Sequence, residues 1–171
     1  ARAAPSTTPA AARTRRDGAV VRDGLAVLRA SYDHKPHDPV EERRIMAAGG
    51  FVRKNIDASG NVQSRVMGVL AVARSFGDNK LRKFIISEPQ LHGPYDVRRF
   101  DTLVLACDGV WDVVSDATAA RLALDAGDDV ELAACRIRDK AYSRASNDNI
   151  SVLVVRLSAA RDRGNADAAV V

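Results

Sequence analysis

At 171 residues the chain is long enough to bury a single core, and no apolar run approaches the about 20 residues of a membrane span. The formal net charge is +4, but residues 1–16 carry four arginines and no acid, so the remainder is balanced at zero. A balanced body argues against a nucleic-acid-binding surface despite the high isoelectric point.

Residues 1–16, rich in Ala, Pro, Thr and Arg, have no periodic apolar face and read as a disordered basic segment. Their lack of acids also suits an organellar leader, although Pro5 and Pro9 weaken an amphipathic helix there. Two short apolar runs then flank Arg22-Asp23-Gly24, the composition of a β-hairpin turn. Asp38 and Pro39 mark a helix start. Glu41 and Glu42 suit its positive end, Gly49 stops it, and Val40, Ile45, Met46 and Ala48 supply its apolar side chains. His34 and His37 are structural turn histidines on this reading, because no third ligand is spaced to join them. Phe51-Val52-Arg53 is expected to be a strand, followed by a polar surface flap from Lys54 to Ser64 that turns at 57–61. From Arg65 to Asp78 the apolar spacing is mixed and does not choose between helix and strand.

The most informative stretch is Phe100 to Val114. Leu103-Val104-Leu105-Ala106-Cys107 reads as a buried strand ending at Asp108-Gly109. Gly109 allows close backbone approach. Trp111 is expected to be largely buried, and Asp112 to serve local backbone. Ser115 or Asp116 caps a helix from 117 to about 125, and Asp128-Asp129 opens a second one through Arg144. Val130, Ala133, Ala134, Ile137 and Ala141 are its expected buried face. Ser146-Asn147-Asp148-Asn149 then leads into the apolar strand 150–155. Two acids at the ends of two strands, Asp108 and Asp148, are the oxygen donors a hard cation requires. Cys107 and Cys135 lack close CxxC spacing and read as reduced, buried thiols suited to a reducing compartment.

Several of these words occur together in a known pattern. RVMGVLAVARSFGD, residues 65–78, resembles the RVxGxLAVxRxxGD signature of the metal-dependent serine/threonine protein phosphatases of type 2C. DHKP (33–36), RIMAAGG (44–50), ISEP (86–89, opening a strand), LVLACDGVWDVVSD (103–116) and SNDNISVLVV (146–155) follow the family's order. The family's opening arginine, acidic pair and DGHGG loop have no counterpart here. Its GDSR word aligns with Arg15-Arg16-Asp17-Gly18, where Asp17 is one position off.

The resemblance implies an α+β fold: a partial α-β-β-α sandwich of two antiparallel sheets flanked by helices, lacking the N-terminal half of the domain. It divides the chain into the basic segment 1–16, the phosphatase-like part 17–157 and a polar tail 158–171. It implies two Mg²⁺ or Mn²⁺ ions, with Asp108 and Asp148 as metal ligands and Gly109 and Asn149 shaping their turns. Substrates would be phosphoserine or phosphothreonine proteins, and either a partner completes the sandwich, or the fold is marginal, or the chain is one segment of a longer protein. The expected compartment is intracellular, cytoplasmic or nuclear. The alternative is a non-catalytic phosphatase-like module that binds partners through the flap from Lys54 to Ser64.

Overall fold

The computed structural model describes residues 13–14, 20–22, 25–56, 62–157 and 168–170. In chain order the elements are β1 (Arg13–Thr14), β2 (Val20–Arg22), β3 (Leu25–Leu28), α1 (Pro39–Ala47), β4 (Val52–Ile56), β5 (Val62–Val66), β6 (Thr102–Ala106), α2 (Asp108–Trp111), α3 (Asp116–Leu124), α4 (Val130–Ser143), β7 (Val152–Arg156) and β8 (Ala168–Val170). They form two compact units, residues 1–31 with 93–171, and residues 32–92. None of the described helices is long and apolar enough to cross a membrane.

The first unit is built on a six-stranded sheet in the order β1-β2-β3-β8-β6-β7. β2 and β3 form the expected hairpin, pairing Arg22 with Leu25; its turn, Asp23-Gly24, lies outside the described residues. The seams β1–β2, β2–β3 and β6–β7 are antiparallel, but β8 runs parallel to both β3 and β6. The sheet is therefore mixed, where the resemblance implied an antiparallel one. The path explains the direction. β7 ends at Arg156, opposite Thr102 at the start of β6. β8 returns from that same end, setting Ala169 against Thr102 and Val170 against Leu103, so it runs with β6.

One face of the sheet is covered by α3 and α4. Leu25, Val104 and Val154 pack there with Ala119, Ala120 and Ala123 of α3 and Ala133, Ile137 and Ala141 of α4. The alanines recur at helical spacing and let both helices lie close to the strands. Val130, an expected core residue, is 36% exposed in the first turn of α4 instead. On the opposite face Ala26, Leu28 and Phe100 cluster with Leu103 and Leu157. Leu105 and Leu153 sit directly across from each other on this face, 47% and 58% exposed. The Leu103–Cys107 strand is thus buried on its helix side only, because alternate strand residues point to opposite faces.

The second unit joins α1 to the β4–β5 hairpin. Asp38 caps α1 through its Oδ1, which accepts hydrogen bonds from Val40 N (2.9 Å) and Glu41 N (3.3 Å). Pro39 occupies the first turn, and Gly49 follows the last with φ +82°. The buried side chains of α1 differ from expectation. Val40 and Met46 are exposed, while Ile45 and the charged Glu41 are buried. Ile45 packs with Val66, Ala73 and Ile85. β4 and β5 pair from Val52↔Val66 to Ile56↔Val62, so the flap is a hairpin whose turn, 57–61, lies outside the described residues. Beyond β5 the chain turns and runs irregularly. Ile86, expected to open a strand, makes only an isolated parallel bridge with Arg74.

Candidate metal centre

The β6–β7 ladder sets the geometry at one end of the sheet. Its last strand pair is Ala106↔Val152, and contacts continue one step further. Cys107 N–H donates to Ser151 O (3.2 Å), and Ser151 N–H donates to Cys107 Sγ (3.2 Å). The thiol in turn donates to Asn149 O at 3.0 Å. Asp108 follows as the first residue of α2, and Asp148 lies on the loop just before β7. The two acids, 40 positions apart in sequence, are thereby delivered to the same end of one sheet.

Gly109 lies tight against the other segment. A Cβ placed on it would lie 2.1 Å from Asn149 O and 3.4 Å from the Asp148 carbonyl carbon. Any side chain would push the segments apart. Ser146 Oγ–H donates to Gly109 O at 2.6 Å and ties them together again. Asn149 N–H donates to Asp148 Oδ1 at 2.7 Å, orienting that carboxylate. Both acids remain exposed. Sequence reasoning gave Ser146 no role of its own and read Cys107 only as a buried thiol. Their roles depend on register across the sheet, for which the chain offers no local signal.

Trp111, expected to be largely buried, is intermediate in exposure. Its indole N–H donates to Ala106 O at 2.8 Å, and the Arg29 guanidinium lies 5.7 Å from the ring centroid. Arg29 also forms a two-point pair with Asp116, at 2.9 and 2.7 Å. Asp112 is exposed at the end of α2, with its N–H donating to Asp108 O (2.9 Å). Cys107 and Cys135 are free thiols, each partly exposed.

Residues 18–150 match the protein phosphatase 2C family. The chain belongs to that family. It is 41% identical over 138 residues to the probable protein phosphatase 2C 59 of Arabidopsis thaliana, an alignment covering 81% of this chain and 42% of the relative. Among solved structures it is similar to a phosphatase from Toxoplasma gondii (TM-score 0.60, 31% identity, 85% of this chain and 45% of the other). It is also similar to a serine-threonine phosphatase 2C from the same organism (TM-score 0.57, 26% identity, 74% and 46%). This 2C chain therefore spans less than half of these relatives.

For a 2C chain the donor chemistry at this sheet end is suitable but sparse. Carboxylates are hard oxygen ligands, appropriate to Mg²⁺ or Mn²⁺. Among the described residues no group of three or more His, Cys, Asp or Glu is placed to hold a metal ion. Asp17 lies outside the described residues, while Asp33 and Asp78 belong to the other unit. Asp78 accepts from Ser75 Oγ at 2.7 Å and sits at φ +46°. The histidines have local partners: His34 Nδ1 is 3.2 Å from Glu41 Oε1, and His37 Nδ1 is 2.7 Å from Ser64 Oγ.

Proposed function

We propose that this chain is the C-terminal part of a Mg²⁺- or Mn²⁺-dependent protein serine/threonine phosphatase domain, and that Asp108 and Asp148 are its contribution to the metal ligands. The observation that carries this reading is the tight seam of Gly109 against Asn149 at the end of the β6–β7 ladder, with an acid on each side. Bound divalent ions supply Lewis-acid activation of water against the phosphorus of a phosphoserine or phosphothreonine. The residues of this chain bring two acids to one end of the sheet. Ser146, Cys107 and Gly109 keep their two segments in register, and Asn149 presents its backbone N–H to Asp148. Two carboxylates neutralise half of the charge on a pair of divalent ions, so the remaining donors belong to the part of the domain that this chain does not span.

The test is phosphate release from a phosphothreonine peptide with Mn²⁺, with and without a chelator. The isolated chain is expected to show negligible turnover. The same chain fused behind the N-terminal part of a relative is expected to turn over, and to lose that activity in Asp108→Ala or Asp148→Ala. Chelator-sensitive turnover by the isolated chain would mean that the missing ligands lie within it, with Asp17, Asp33 and Asp78 the first to substitute. An inactive but folded fusion favours the second reading, a non-catalytic binding module. The flap supports that alternative: Arg53, Lys54, Asn55 and Ile56 are all exposed on β4, and Ile56 is 71% exposed.

A further inference from the structure

Between the end of β3 and helices α2, α3 and α4 the chain leaves a cavity of about 890 Å³. Cavities of about 300–1,000 Å³ are the size that holds small molecules, whereas ordinary protein interiors leave few voids larger than a water. Its apolar lining is Leu25 and Val27 of β3, Trp111 of α2, Val114, and Leu122 of α3. Leu25 and Val114 belong to the buried core, so the apolar side of the cavity is continuous with it. Two long-range contacts fix the walls. Arg29, just beyond β3, forms its two-point pair with Asp116 at the start of α3. Arg144, at the end of α4, donates from Nη1 to Val113 O at 2.7 Å and so ties α4 to the segment between α2 and α3. The charged lining is lopsided. Arg29, Arg121 and Lys140 come from the end of β3, from α3 and from α4, against a single acid, Asp116. The cavity therefore carries an excess of two positive charges over an apolar floor. Neither Asp108 nor Asp148 lines it.

We propose that this cavity is a binding site for a small amphipathic acid, with an apolar body seated on Leu25, Val27, Val114 and Leu122 and an anionic group held by Arg121 and Lys140. The apolar walls select the body, and the excess charge selects an anion over a neutral or cationic molecule of the same shape. Arg29 is engaged by Asp116 and lies over Trp111, so it shapes the rim while Arg121 and Lys140 supply the charge. The site lies apart from the two acids of the metal centre and does not depend on whether they bind metal.

Fluorescence titration of the 171-residue chain with anilinonaphthalene sulfonate, an apolar body carrying one anionic group, tests the site. Its uncharged parent, phenylnaphthylamine, is the comparison. The sulfonate is expected to bind one molecule per chain, to quench Trp111, the chain's one tryptophan, and to weaken as salt is added. Arg121→Glu and Lys140→Glu are each expected to weaken the sulfonate at least about tenfold while leaving the affinity of the neutral dye unchanged. Either variant decides the point should the other fail to fold. Ala117→Phe, which fills the cavity from the first turn of α3, is expected to weaken both dyes. Leu153→Lys, on the opposite face of the sheet, is expected to change neither. Charge reversals that weaken both dyes equally, or neither, would overturn the anionic ligand. Dye lost in Leu153→Lys but kept in Ala117→Phe would assign it to the exposed sheet face and overturn the site. The absence of saturable binding would overturn the proposal too, and binding that appears only after removal of residues 1–12 would assign the cavity to the chain's own N-terminal segment.

Discussion

Glu41 is 1% exposed and bound on several sides. Arg74 Nε donates to its Oε1 at 2.9 Å, and Arg44 Nη2 to its Oε2 at 2.8 Å. The same guanidinia reach Ala73 O, Phe84 O and Glu88 O, so this one carboxylate anchors the irregular path between residues 73 and 88. Burial alone pushes the Glu41 carboxyl up, but the hydrogen bonds and charges of Arg74 and Arg44 outweigh it and hold it below its ordinary value of 4.5. A depressed folded-state value means that ionised Glu41 stabilises the fold above pH 4.5 and that this stability is lost as pH falls through the lower value. Resistance to urea should therefore fall on acidification below pH 4.5. Glu41→Gln should cost about 3–5 kcal/mol at pH 7, because it removes the buried anion that two partly exposed guanidinia pair with, and should flatten that acid limb; a substitution without cost would show that the cluster is not coupled to folding. Gly109 is the corresponding case at the acid pair. Gly109→Ala places a methyl group 2.1 Å from Asn149 O, so the backbone must move at a cost of about 1–3 kcal/mol. An unchanged urea midpoint would contradict the seam described above.

At the scale of elements, helix ends carry the clearest local logic. Asp129 caps α4 by accepting from Leu132 N at 2.8 Å, and Ser115 caps α3 through Thr118 N at 3.4 Å. Asp129→Ala should lower stability by about 1 kcal/mol in a urea melt, whereas Ser115→Ala, with the longer bond, should cost less. α2 is a single turn of four residues and owes little to propensity. It is pinned by the Trp111 indole to Ala106 O. Trp111→Phe keeps the ring but leaves that carbonyl without its partner, for about 1–3 kcal/mol; a phenylalanine variant with the stability of the parent would assign α2 to packing alone. α3 and α4 lie on the sheet through alanines. A larger residue there, such as Ala123→Leu, would overpack the layer by about 1–3 kcal/mol.

At the scale of the molecule, the face of the main sheet opposite α3 and α4 is buried around Ala26, Leu28 and Phe100 but exposed towards the end of the β6–β7 ladder. Leu105 and Leu153 are exposed there as a cross-strand pair. Leu153→Lys in the isolated chain should change stability by no more than about 0.5 kcal/mol, as at other exposed positions, and should reduce any self-association seen by sedimentation. A large loss of stability in the isolated chain would mean that the face is already packed.

Local chemistry was enough to place the β2–β3 hairpin around Asp23-Gly24, the cap at Asp38, the start of α3 at Ser115 or Asp116 and of α4 at Asp128-Asp129, and the acids at the ends of β6 and β7. Each depends on residues a few positions apart, so a short window contains the whole cause. Long-range order needed the folded chain. The β6–β7 register brings Asp108 and Asp148 to one sheet end, although nothing near either residue names the other. The burial of Glu41 in place of Val40 and Met46 depends on Arg74, 33 positions away. Leu105 looked as buried as Val104 because both are apolar, and only the position of the helices decides which strand face is dry. The tail from 158 carried no motif, yet Ala168–Val170 pairs with β3 and β6, strands far from it in sequence, through backbone hydrogen bonds that no local pattern announces.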